Sequence, residues 1–210
     1  SADVAFRGTD GFNANTTAPT VQIPSSVQPG DGLVLVLTLN DTSVTVTPPA
    51  GWTQVGTQSN GTAVSTVWQR VAQAGDAGGS VTLGLDAYAK ADLRILAYAH
   101  TDADGPIAST AKFVDPAAAT SHPAPSVEVT EPGSWVVTYW ADKSATTTAW
   151  TAPGGVTTRA TAVGSGAGRI TSLVADSGGA VPTGTYQGKT ATTDAASRAL
   201  MWTLVLARQS

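Results

Sequence analysis

One turn-and-strand pattern runs through this chain twice. Pro29-Gly30-Asp31-Gly32 leads into the apolar run Leu33 to Leu39, then a Thr-rich stretch, then Pro49-Ala50-Gly51. Pro132-Gly133-Ser134 leads into Trp135 to Trp140, another Thr-rich stretch, and Pro153-Gly154-Gly155. Pro29 and Pro132 stand 103 residues apart, Pro49 and Pro153 104 apart. Val71-Ala72 and Val174-Ala175 keep the spacing of 103, each ahead of a Gly-rich turn. Self-similarity at a fixed period restricts architecture before any single motif does. It implies two similar halves, about 1–100 and 126–210, joined by a connector at 101–125.

The local signals are those of strands. No window keeps apolar residues at helical spacing free of Gly, Pro or clustered Thr. Leu33 to Leu39 is apolar at nearly every position, as is Leu200 to Leu206, which predicts strands buried on both faces. Short strands are predicted at 4–7, 20–23, 81–85 and 93–99, and within the connector at 108–114. Segments 53–58 and 63–71 flank Ser59-Asn60-Gly61, and Asn-Gly predicts a hairpin with a type I′ turn. The second half repeats the order with strands at 126–130, 135–140, 156–163, 169–175, 188–193 and 198–207. The fold class is therefore all-β, a two-sheet antiparallel sandwich.

Two arrangements fit the duplication. Each half could close as its own small sandwich, or the halves could interleave in jelly-roll fashion into one domain over 1–210. The sequence favours the single domain. The connector carries Ile107, Phe113 and Val114, unlike a flexible linker, and each half centres on a strand that needs cover on both faces.

Charged residues make up only 12% of the chain, and the net charge is −4. The 11 Lys and Arg form no stripe, which argues against nucleic acid as a partner. Cysteine is absent, so no disulfide framework or thiolate metal site is available. No apolar run reaches membrane-spanning length, so helical insertion into a bilayer is not expected. Low charge leaves sheet edges poorly guarded, and homo-oligomerisation through them is an expectation to be examined.

Candidate chemistry is sparse. Asp176-Ser177-Gly178-Gly179 has the look of a protease nucleophile, but neither His100 nor His122 has a matching context, and a strand-ending turn accounts for it. Gly164-Ser165-Gly166-Ala167-Gly168 lacks the spacing of a nucleophile elbow. Glu128 and Glu131 do not make a hydrolase pair, and no catalytic residue is assigned. Asp102-Ala103-Asp104-Gly105 is the best metal candidate, because alternating carboxylates on a Gly-ended loop can offer oxygens to a structural Ca²⁺ through Asp102 and Asp104. No other cofactor is expected.

Of six Trp, Trp202 sits in the most apolar run and is assigned to the core. Trp135 and Trp140 lie five apart on one strand and point to opposite faces. Trp52 follows a Pro-Ala-Gly turn and is expected to plug the sandwich end. Trp150, in a run of Thr, is the expected exposed aromatic, and with Trp140, Tyr88 and Tyr186 it forms the candidate ligand set.

The opening Ile23-Pro24-Ser25-Ser26-Val27-Gln28-Pro29-Gly30-Asp31, then Pro49-Ala50-Gly51-Trp52-Thr53-Gln54-Val55 and Val67-Trp68-Gln69-Arg70-Val71-Ala72-Gln73-Ala74-Gly75-Asp76, form a set. Together they resemble a β-sandwich module of actinobacterial secreted proteins and of tail or virion proteins of phages that infect such bacteria. The resemblance covers about residues 4–100. It implies a display or adhesion part with no catalytic residues. The expectation is a non-enzymatic structural or binding module on a virion surface, engaging a bacterial envelope glycan or other virion proteins. A secreted actinobacterial carbohydrate-binding module is the alternative.

Overall fold

A computed structural model of the chain describes residues 2–210. Among the described residues there is no helix, and 19 strands are formed. In the first half they are β1 (Ala5–Thr16), β2 (Thr20–Gln22), β3 (Gly32–Leu39), β4 (Val46–Thr47), β5 (Thr53–Ser59), β6 (Val64–Val71), β7 (Ser80–Thr82), β8 (Gly84–Leu85) and β9 (Ala89–Ala99). The stretch read as a connector supplies β10 (Ile107–Val114) and β11 (Ala119–Pro123). There follow β12 (Val127–Val129), β13 (Trp135–Ser144), β14 (Trp150–Thr151), β15 (Thr157–Val163), β16 (Arg169–Asp176), β17 (Gly184–Tyr186), β18 (Thr190–Ser197) and β19 (Ala199–Leu206).

Two five-stranded antiparallel sheets dominate, ordered β1-β9-β3-β6-β5 and β10-β19-β13-β16-β15. The two orders are the same list of equivalent strands. Even the irregularities repeat, with register shifts at Phe6/Gly8 and Ile107/Ser109, and again at Gln54/Gly56 and Thr158/Ala160. Among the described residues no sheet mixes strands from the two halves. Within these two sheets β5/β6 and β15/β16 are neighbours in sequence, while the other ladders bring together strands far apart along the chain.

The register also corrects one equivalence. Val34 pairs with Gln69 and Leu96, whereas Val137 pairs with Asp176 and Leu204. With Val34 and Val137 equivalent, Val174 corresponds to Val67, not to Val71. A longer loop between β15 and β16 displaces the later strands, which the match of Val71-Ala72 to Val174-Ala175 conceals.

The large sheets pack face to face. Val34, Val36, Val67, Leu96 and Tyr98 of the first meet Trp135, Val137, Tyr139, Val174, Trp202 and Leu204 of the second. The faces that meet are equivalent ones. At the sides, β1 lies beside β15 and β5 beside β10, a reciprocal pairing that gives the molecule approximate twofold symmetry. The remaining short strands cap the two outer faces. In the first half they cover Leu33, Leu35, Leu37, Trp68 and Ile95. In the second they cover Trp140, Leu173, Met201 and Val205. Four layers result, so β3 and β19 are buried on both faces, as their uninterrupted apolar runs predict.

Polar groups cross the central layer as well. Tyr139 donates to Asp92 at 2.7 Å, and Tyr98 donates to Asp176 at 2.8 Å, each across the two halves. Trp202 Nε1 donates to Ser65 at 2.9 Å. The edges are fastened in the same way. Lys112 of β10 reaches the Thr57 carbonyl of β5, and the Gln69 side chain accepts from the Ile107 amide.

The hairpin between β5 and β6 exists, but not as a type I′ turn, because Asn60 does not take a positive φ and only Gly61 does. Asn60 Oδ1 instead accepts from the amides of Thr62 and Ala63, while its Nδ2 donates to the Arg198 carbonyl of the other half. An Asx turn that also bridges the halves replaces the mirror-image turn.

Candidate functional site

The aromatic residues singled out from sequence separate in space. Trp140 is fully buried on the outer face of β13, and Trp150 is only 9% exposed beside it. The expectation that Trp150 stands free is therefore corrected. Of its polar neighbours, Thr147 is buried and donates to Asp142, while the exposed Thr148 hydrogen-bonds Asp194 at the surface. Tyr88 is exposed at 69%, and Tyr186 is half-buried with Lys189 over its ring. Trp135 faces the central layer while Trp140 faces outward, and Trp202 is fully buried, as their positions on strands predict.

Asp102 spends one oxygen on the amide of Asp104, at 2.8 Å, closing its own turn. Both carboxylates line a cleft of about 430 Å³ with Glu131 and Arg208. Among the described residues no group of three or more His, Asp or Glu side chains is placed to hold a metal. Ca²⁺ takes six to eight oxygens, and this turn gathers few of them. Ser177 belongs to a turn: its hydroxyl donates to Gly179 O and accepts from the Val136 amide.

Behind Trp150 lies a polar cluster that the sequence does not advertise. His122 is fully buried, with Nδ1 2.5 Å from Asp115 and Nε2 2.7 Å from Thr193 Oγ1, and its ring lies 4.9 Å from that of Trp150. Acid, imidazole and hydroxyl stand in the order of a nucleophilic triad. The hydroxyl, however, donates to Ala195 O at 2.7 Å, and Asp115 also accepts from the Ala199 amide. With none of the three side chains open to solvent, the cluster ties the β10–β11 crossing to β18. Nearby, Asp142 is buried, and that burial raises its pKa despite the bond from Thr147. A carboxyl whose folded pKa is raised favours folding below its unfolded pKa and loses that contribution as pH rises through the folded value. Asp142→Asn is therefore expected to raise the melting temperature at pH 7 by a few degrees, with the gain shrinking toward pH 4, when followed by circular dichroism; an equal or lower melting temperature at pH 7 would contradict the reading.

A further aromatic cleft is built at the end of the first half. Pro49-Ala50-Gly51-Trp52 forms a turn closed by Trp52 N to Pro49 O at 3.3 Å, with Gly51 at φ 84°. That positive φ at the third position is what a type II turn demands, and it is why glycine stands there. The turn swings the half-buried Trp52 against the outer core, where it also lines a cleft of about 340 Å³. The cleft is shared with Pro49, Arg70, Asp76, Ser80 and Thr82. Arg70 on β6 grips Asp76 through Nε at 2.9 Å and Nη2 at 3.1 Å, and its Nη1 donates to Gly51 O at 2.8 Å. Hydrogen bonding from Arg70 holds the Asp76 carboxyl below its usual range. Aromatic face, planar ion pair and hydroxyls are thus fixed to one another. The second half does not repeat them: by register, Val156 stands where Trp52 does and Ser177 where Arg70 does.

Trp52 is legible in sequence as an end plug. Its cleft is not, because Asp76 and Thr82 reach it only through the turn after β6. No family model, curated protein or solved structure matches the chain.

Proposed function

We propose that this protein is a non-enzymatic binding module that holds an envelope glycan in the Trp52 cleft. One observation carries the reading: a partly exposed Trp lines the same cleft as a preorganised Arg–Asp pair. An indole face suits the apolar side of a pyranose ring, as its amphipathic character allows. Arg70 uses three of its five N–H groups on Asp76 and Gly51, which leaves donors for sugar hydroxyls. Asp76, Ser80 and Thr82 add acceptors. Restriction of this set to one half favours a ligand role, since a purely architectural set would be expected in both copies of a duplicated frame. Display on a phage virion is supported by the sequence resemblance, and secretion from an actinobacterium would use the same cleft.

The test is a pull-down on isolated actinobacterial cell walls, with Trp52→Ala beside the parent protein. The expected result is at least about a 30-fold loss of binding, the effect of removing a central anchor, with an unchanged circular dichroism spectrum. Binding that survives Trp52→Ala and Arg70→Ala would remove the site from this cleft. Absence of binding by the parent protein would leave a purely structural role in a larger particle.

A further inference from the structure

A second cleft, of about 310 Å³, opens at the seam between the two halves. Its lining is Asn13, Ala14, Asn15 and Lys90 from the first half, and Ser165, Gly166 and Arg169 from the second. The loop Gly164 to Gly168 is held there by cations. Lys90 Nζ donates to Ser165 O at 2.8 Å and to Ala167 O at 2.7 Å. Arg169 donates to Ala145 O, Gly166 O and Thr147 O at 2.8 to 3.1 Å.

Among the described residues neither cation forms an ion pair, whereas Arg7, Arg70, Arg159 and Arg208 all do. Carbonyl dipoles take up two of the three Lys90 N–H groups and four of the five of Arg169, but leave the formal charge in place. Two buried carboxylates adjoin this lining: Asp92, held by Asn13 and Tyr139, and Asp142, which accepts from Thr147 and lies within reach of the Arg169 charge. Lys143, whose side chain runs near Gly168, donates to the Thr62 carbonyl at 3.3 Å. In a chain of net charge −4, a cleft lined by two cations and no acid is a local reversal of sign.

We propose that this seam cleft binds a compact oxyanion, a phosphate or carboxylate group on a larger ligand, between Lys90 and Arg169. Arg169 retains an N–H beyond its carbonyl bonds, and Lys90 retains one of its three. Asn15, exposed at the rim, adds a neutral amide. Charge-assisted bonds of this kind favour oxyanions, and Arg adds planar fork geometry. The proposal is independent of the Trp52 cleft.

The experiment is a titration of the ¹⁵N-labelled protein with sodium phosphate and, separately, sodium acetate, at fixed ionic strength set with chloride. Saturable shifts confined to residues 13–15, 90 and 165–169 are expected, with a Kd of about a millimolar. Phosphate stronger than acetate would assign the group as a phosphate, and the reverse as a carboxylate. Asn15→Asp changes only a rim side chain and is expected to weaken binding about tenfold by charge repulsion. Lys90→Met should do the same if its melting temperature stays near that of the parent. Shifts that are absent, scattered over the surface, or unchanged by Asn15→Asp would overturn the proposal.

Discussion

Trp202→Ala is expected to lower the free energy of unfolding by about 3–5 kcal/mol, a large part of the stability of a typical domain. Trp202 is fully buried at the centre of the layer between the large sheets. Its ring lies over Gly56 of the opposite sheet, where an added Cβ would come within 3.1 Å of the indole edge. Its Nε1 donates to Ser65, which Thr38 also contacts. Truncation would therefore empty a bulky site against two rigid sheets and leave the buried Ser65 hydroxyl with Thr38 but without the indole donor. Neither sheet can collapse to fill the space without breaking the Tyr–Asp bonds beside it. Urea unfolding followed by far-ultraviolet circular dichroism measures the loss. A cost below about 1 kcal/mol would mean that the two sheets are not packed through this ring.

Tyr139→Phe is the second large effect, at about 2–3 kcal/mol, because it removes a donor from a buried carboxylate and puts nothing in its place. Asp92 keeps only Asn13 as a side-chain donor. Burial first, and then the nearby Asp92 charge, raise the Tyr139 pKa well above its ordinary value; burial and Asp176 do the same for Tyr98. Both phenols therefore stay protonated and donating at neutral pH. A folded pKa above the unfolded one means that the contribution is complete below the unfolded value, about 10, and is lost as pH rises beyond it. The parent protein is thus expected to lose stability steeply above about pH 10. Tyr139→Phe should show a shallower alkaline slope. Equal slopes in the two proteins would contradict the assignment.

Much of the frame can be read from sequence, and the reasons are physical. β3 and β19 announce themselves because strands covered on both faces need apolar residues at every position. The repeated Pro-Gly turns mark where equivalent strands begin. β1 is far longer than its apolar start at residues 4–7 suggests, since an edge strand carrying Gly, Thr and Asn shows little periodicity. The choice between interleaved and separate sheets depends on pairing partners, which no local pattern encodes. Trp150 misleads for a related reason. Thr147 turns inward to Asp142 and Thr148 stays at the surface on Asp194, which lies 46 residues from it, so Trp150 is buried within a run whose composition reads as exposed. The Trp52 cleft shows in sequence only as its turn, and the seam cleft not at all, because it needs residues from both halves.

The twofold pairing of equivalent faces is the geometry of a homodimer written into one polypeptide. Two separate subunits would come apart on dilution, and any change in one would appear in both. A single chain holds its two copies together at any dilution, even one molecule at a time. It also lets them specialise: one copy can acquire a Trp at position 52 while the other keeps a Val at position 156.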